Sequence, residues 1–439
     1  MTSTIKVDTI SENTSANGVA VDGVTLKDGA VGAAGTATSV AGIPFYQGDT
    51  GSIYTHDVSG TDSTAENNTA YGIAAMDAIT TGDSNTAIGQ RALSGATTGH
   101  SNVAVGASAG LANQTGIYNV FVGFEAGNGT TGSQNTFLGR SSGKANTSGS
   151  VNIAIGDGAY DAADTESNNL AIGVNALGGA VAGGELNVAV GNLSLSGLTS
   201  GDSNTAIGYE SGKSNTTGFQ NTFLGNEAGT SFTEGNDSIF IGYRAGHDCT
   251  TGSDIIFIGK NAGDAHDTEG NNLGIGSNAI GGPIAGGEFN VGVGNSSLVL
   301  LTSADSCTAV GYDSGSAITT GLNNTMVGRS SGNSITTGGE NTVLGRYAGG
   351  EITTGAGNIC IGNEAANAGV GLSTGSNNIF IGQGVRGSAV GNSQEFVIGS
   401  LNVAGKGTNT AFLNPNGGSV YNGANATTWN TVSDKRIKK

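Results

Sequence analysis

Proline, cysteine, tryptophan and charge are all scarce in this chain. Its 439 residues include 3 prolines, 3 cysteines and 1 tryptophan, and only 11% are charged. So little proline excludes collagen, which also needs glycine at every third residue. Disordered chains are rich in Pro, Glu and Lys and avoid β-branched residues, so plain disorder does not fit either. The length would suit two or three ordinary domains. With 5% aromatics and mostly Ala, Val, Ile and Gly among the small and apolar residues, the material for conventional globular cores is missing. The cysteines, Cys249, Cys307 and Cys360, are odd in number and scattered, which excludes a disulfide framework. They sit at different phases of the repeat described below, so they read as small buried hydrophobes rather than a metal site.

Positive charge is short as well. The formal net charge is −18, and the basic run Lys435, Arg436, Lys438 and Lys439 is confined to the terminal tail. A nucleic-acid-binding surface would need a basic patch, so none is expected. No apolar run approaches the roughly 20 residues of a membrane helix, so no membrane insertion is expected. The start, Met1 to Lys6, has no hydrophobic signal segment, which suggests folding in the cytoplasm. The histidines occupy unrelated phases, and no HExxH, CxxC or phosphate-binding loop occurs. No cofactor is called for, with calcium as the one candidate discussed below.

What the chain does have is glycine, 80 residues of it, and a short repeat. The motif Asn-x-x-[Ile/Val/Leu]-Gly closes on 20 glycines from Gly72 to Gly399, 17 residues apart apart from single steps of 16 and 20 and two of 18. Asn stands four residues before the glycine in 16 copies; the exceptions are Ser238, Ile255, Cys307 and Glu395. A second glycine recurs seven residues before the first, often in Thr-Thr-Gly, as at Gly82 and Gly99. A longer period of 103 residues relates Gly173, Gly191, Gly208 and Gly225 to Gly276, Gly294, Gly311 and Gly328, as if six coils were duplicated together.

The unit reads as one coil of a parallel β-solenoid. In Asn204 to Gly208, Thr205 and Ile207 face one way and Ala206 the other, because strand side chains alternate. A strand of about four to five residues, a glycine bend, a return path and a second corner would complete the circuit. Small residues three places after the glycine, such as Ala92, Ala109 and Ser142, suit a cramped inward position. One coil cannot bury its apolar stripe alone, but stacked coils can. The Asn column is expected to form an amide ladder. At about 4.8 Å per coil, the 20 copies imply a rod of roughly 90 Å. The expected fold is all-β, a 17-residue-period solenoid of about 20 coils, in a homotrimeric elongated fibre.

Three groups of residues are candidate sites. The middle strand position, usually Ala, is Phe at 121, 137, 223, 240, 257 and 380. These rings, Phe121, Phe137, Phe223, Phe240 and Phe257 above all, either pack as a ladder against another subunit or form an exposed stripe for glycan stacking. Two long turns are acidic and equivalent across the 103-residue period: Asp164 and Glu166, then Asp267 and Glu269. Hard cations take several oxygen ligands, so these four could hold Ca²⁺; they could equally be a solvated acidic turn, or be read as a glycosidase pair. The third group is Ser433 and Lys438.

Asn204-Thr-Ala-Ile-Gly-Tyr-Glu-Ser-Gly-Lys-Ser-Asn-Thr-Thr-Gly218 resembles repeats of phage tail fibres and of trimeric autotransporter adhesin heads. The resemblance covers roughly residues 67–400. Thr4 to Ile10 and Gly18 to Gly29 resemble the start of tail-fibre-like proteins of marine phages, cyanophages especially. Gly418 to Gly423 with Thr427 to Lys438 is similar to the entrance of an endosialidase-type intramolecular chaperone domain, whose motif Ser-Asp-x-Arg-x-Lys matches Ser433, Asp434, Arg436 and Lys438. That resemblance implies autocleavage before Ser433, with Ser433 as nucleophile and Lys438 as its basic partner. The rest of such a domain is absent after Lys439, so catalysis is not expected in this chain.

Together the resemblances imply a virion protein, assembled in the host cytoplasm. The expected organisation is an attachment or trimer-start segment at 1–30, a connector at 31–66, the solenoid at 67–400, a neck at 401–432 and a chaperone stub at 433–439. The segment at 1–30 would dock on tail or baseplate proteins, and the solenoid would present a surface to a host glycan. A bacterial surface adhesin, a polysaccharide depolymerase and a plain spacer are the competing readings.

Overall fold

In a computed structural model, the structure describes residues 64–400 except 181–182, 266, 284 and 368–371, together with 52–54, four short strands between residues 19 and 47, and parts of 402–431. The described residues are all-β, with no helix. They belong to two compact units, residues 1–165 and 166–439. The division falls in the first acidic turn.

Each unit is a stack of coils, and each coil contributes one short strand. Six repeat strands lie in the first unit, from Thr69–Tyr71 to Ile153–Ile155, and fourteen in the second, from Leu170–Ile172 to Phe396–Gly399. Neighbours pair parallel at the repeat period, so Thr205, Ala206 and Ile207 stand beside Thr222, Phe223 and Leu224. The longer steps leave the register intact: Ile359 still pairs with Ile379 across a 20-residue step. Extra residues are taken up in the turns, where backbone has room to detour.

The repeat strands span three residues, and four only at Phe396–Gly399, rather than four to five throughout, and the return path is made of turns. The reason lies in the backbone after the closing glycine. Residues two and four places on are left-handed, as at Glu210 (φ 55°) and Gly212 (φ 57°). Such residues cannot continue an extended strand. Their N–H and C=O groups still point along the stack, so the turns bond coil to coil: Leu93 N–H donates to the Ala109 carbonyl at 2.9 Å, and Thr80 N–H to the Thr97 carbonyl at 3.0 Å.

The two recurring glycines serve different needs. Gly89 has φ of +132°, and a Cβ there would lie 2.6 Å from the Gly106 carbonyl group. Gly82 has no left-handed backbone, but a Cβ there would collide with the Gly99 carbonyl oxygen of the next coil. Gly89 allows both the bend and the approach of the next coil, and Gly82 the approach alone.

The asparagine column is a clamp at two points. Asn68 Oδ1 accepts the Asn85 backbone N–H at 2.8 Å, while its Nδ2 donates to the Gly82 carbonyl at 2.8 Å. The same pair recurs at Asn204, toward Asn221 N–H at 3.0 Å and Gly218 O at 2.8 Å. Direct amide-to-amide contacts also occur, such as Asn341 Nδ2 to Asn324 Oδ1 at 3.0 Å. At Cys307 the backbone N–H still reaches Asn290 Oδ1 at 3.0 Å, and the thiol faces the Gly321 carbonyl at 3.2 Å. At Glu395 the column changes partner: its carboxylate accepts Gly407 N–H at 2.7 Å and Ser388 N–H at 3.2 Å.

Antiparallel strands flank the coils. Ile43–Gln47 pairs antiparallel with Ile53–Tyr54 in the first unit, and Val420–Asn422 with Ala411–Asn414 in the second. Non-repeat strands in these places cover edges that would otherwise template further pairing.

Candidate functional site

The phenylalanine column is interior. Phe121, Phe137, Phe223, Phe240, Phe257 and Phe380 are fully buried within the chain. They therefore form neither an exposed glycan-stacking stripe nor a ladder against another subunit. Alternation puts the middle strand residue on the side of the coil occupied by the small residues Ala92, Ala109 and Ala126, and that side is the core. The rings stack within it: Phe240 and Phe257 have centroids 5.8 Å apart at 18°, and Phe232 meets Phe240 edge-on at 5.1 Å.

Volume is balanced across the coil. The residue six places after the middle position packs opposite it. Where the middle is Phe121, Phe137, Phe223, Phe240 or Phe257, that residue is Gly127, Gly143, Gly229, Gly246 or Gly263. A Cβ at Gly127 would collide with the Phe121 ring. Where the middle is Ala70, Ala87, Ala154 or Ala171, it is Met76, Leu93, Tyr160 or Leu177. Ala104 and Ala206 also have glycine opposite, at Gly110 and Gly212; there the next coil's Phe121 or Phe223 leans into the space. This is large-to-small complementarity at core density.

The four acidic-turn carboxylates act as acceptors for the chain itself. Asp164 accepts the Thr147 hydroxyl, and Asp267 accepts the Thr250 hydroxyl at 2.8 Å. Glu166 Oε1 accepts Gly183 N–H at 2.8 Å, and Glu269 Oε1 accepts Gly286 N–H at 2.6 Å. Both glutamates are buried, unlike a solvated acidic turn. The bonding repeats across the 103-residue period. Among the described residues, no three His, Cys, Asp or Glu side chains gather in a metal-binding group. Ser433 and Lys438 lie outside the described residues.

The three cysteines are free and buried. Burial pushes the Cys360 thiol up to about 12, and it raises the Cys249 and Cys307 thiols too. A charged network spans coils near residue 250. Arg244 Nε lies 3.4 Å from Asp264 Oδ1, and His247 Nδ1 lies 2.6 Å from Asp248 Oδ1. Burial raises the Asp264 carboxyl above its ordinary value of 3.8, with Arg244 opposing.

Two surface features remain. The third strand position points outward, so Ile88, Ile207, Leu224 and Leu344 are each more than 40% or at 40% exposed. Within the second unit Ile207 and Leu224 stand side by side, with Thr205 and Thr222 at the first strand position. The residue after most closing glycines is also exposed, as at Phe124, Tyr209, Tyr243 and Tyr312. Exposed aromatics were missed in the sequence because they are interspersed with Asn, Lys and Ser at the same phase. Comparison with known protein families, curated proteins and solved structures finds no match to this chain.

Proposed function

We propose that this chain is a virion tail fibre or appendage protein that assembles as a homotrimer and projects a host-surface-binding solenoid, with glycan as its ligand. The observation that carries this reading is the outward aliphatic position: Ile207 and Leu224, 40% and 41% exposed, stand side by side on a parallel sheet, and the position is exposed again at Leu344. Exposed apolar surface of this kind marks an interaction face. A second and third copy of the same chain is the occupant that fits, because identical repeats meet at the same spacing along the whole face. Closed symmetry then makes the contact finite. The tail-fibre resemblance of the repeat and of Thr4 to Ile10 supports a location on the particle. Binding by three copies would gain from avidity.

Sedimentation of the full chain tests the assembly. The expected mass is three times 42.9 kDa, and Ile207→Lys with Leu224→Lys is expected to release monomers that keep the β-rich spectrum. A wild-type monomer at micromolar concentration would sink the trimer. Labelling of intact virions with antibody to the solenoid, read by electron microscopy, and binding of the purified protein to host cells test the location and the role.

A further inference from the structure

The ridge after the closing glycines carries an uncompensated pair of arginines. At this phase, neighbouring coils can pair opposite charges: Arg140 bonds Asp157 of the next coil at 2.8 Å. In the coils closing on Gly328 and Gly345 the same phase holds Arg329 and then Arg346. Both are exposed. Among the described residues neither side chain has an ion-pair or hydrogen-bond partner; the guanidinium contacts are with aromatic faces. The Arg329 guanidinium lies 5.8 Å from the Tyr312 ring centre and 5.6 Å from that of Tyr347. Arg346 lies 4.8 Å from the Tyr347 ring centre. Backbone bonds hold the coils in step, with Tyr347 N–H donating to the Arg329 carbonyl at 2.9 Å.

Two like charges about one strand separation apart repel each other. Stacking on tyrosine offsets part of that cost. Both arginines are exposed, and no side chain among the described residues takes their N–H edges. Such edges match the two oxygens of a carboxylate or phosphate. Tyr312, 56% exposed, offers aromatic surface beside them for a sugar ring. In a chain of net charge −18, the bulk surface repels anions, so an anion retained here must be held locally.

We infer that Tyr312, Arg329, Arg346 and Tyr347 form a binding site for an anionic saccharide, one bearing carboxylate or phosphate on its sugar ring. The inference rests on the host-surface reading above and specifies its ligand class. The full-length wild-type protein should be titrated calorimetrically with oligogalacturonate, with a phosphorylated mannan oligosaccharide, with inorganic phosphate and with neutral maltohexaose. Binding of either anionic oligosaccharide, weakening with added salt, and none of maltohexaose is the expected result. R329Q/R346Q is expected to weaken it about tenfold or more, as loss of charge-assisted contacts implies, with unchanged sedimentation and melting. R140Q, at the same phase but paired, is expected to bind as wild type.

Three results would overturn the site: no anionic oligosaccharide bound, including binding of inorganic phosphate alone; equal binding by R329Q/R346Q; or a changed assembly state in that variant, which would make the pair a contact between copies. A host-cell assay separates the two readings. Cells bound equally by wild type and R329Q/R346Q remove this site and keep the fibre; oligosaccharide bound with no cell binding keeps the site and removes the host-surface role.

Discussion

Asparagine at the strand entrance has the clearest residue-level cause. Its side chain supplies both an acceptor and a donor at fixed separation, and the next coil presents a backbone N–H and a glycine carbonyl at matching places. Asn221 takes Ser238 N–H at 3.0 Å and gives to Gly235 O at 2.8 Å. Asn221→Ala is expected to cost about 2–4 kcal/mol, because two buried backbone groups lose partners at once. Chemical denaturation would measure this, and a loss below about 0.5 kcal/mol would contradict the clamp. Asp264 makes a second residue-level case. Its raised carboxyl favours the folded state below the ordinary value of 3.8, and that contribution is lost as pH rises through the folded value. Asp264→Asn should therefore compare more favourably with wild type at pH 7 than at pH 3, in melting temperature. The reverse ordering would mean that the Arg244 pair outweighs burial.

At the scale of the coil, strand and turn divide the work. Three extended residues supply the sheet, and left-handed turn residues supply the corners without leaving the inter-coil bonding pattern. The core is matched pair by pair. Phe121→Ala is expected to cost about 3–5 kcal/mol, as for other buried rings. Gly127→Leu alone is expected to unfold this region, since its Cβ would meet the Phe121 ring. The double change should recover much of the loss, because Ala87 opposite Leu93 is the same arrangement in a native coil, and Leu93 adopts φ 48° there. A thermal-melt double-mutant cycle reads the coupling; additive losses would refute the pairing. The pairing was present in the sequence at an offset of six. It went unseen because middle-position phenylalanines side by side also suit an exposed ladder, and only the closed circuit says which side is inside.

At the scale of the whole molecule, a stack gains stability mainly from neighbours, so terminal coils are expected to open before central ones. Cysteine gives a reporter in the second unit. Burial holds the Cys360 thiol up at about 12, so the folded chain carries almost no thiolate there at pH 8, and the thiolate is the reactive form. Thiol labelling in moderate urea, followed by peptide mass spectrometry, is expected to find Cys360 first, before Cys249 and Cys307. Cys249 labelling first would refute opening from the C-terminal end. The same independence of coils explains how insertions at the longer steps are tolerated: a detour in one turn leaves every strand in register.

The sequence by itself determined the period, the parallel solenoid, the inward small residues and the asparagine column. Each depends on backbone geometry repeated at a fixed interval, and repetition makes local chemistry legible. Glycine shows the limit of that reading. Its recurrence located the corners, but whether Gly82 or Gly89 is needed for a left-handed bend or for close approach depended on the carbonyl of the following coil. The fate of Phe240 likewise depended on what lies across the coil, and that of Arg329 on the tyrosines above and below it. Tertiary structure alone decided these, because burial and pairing are properties of neighbours brought together by closure of the circuit and stacking of the coils.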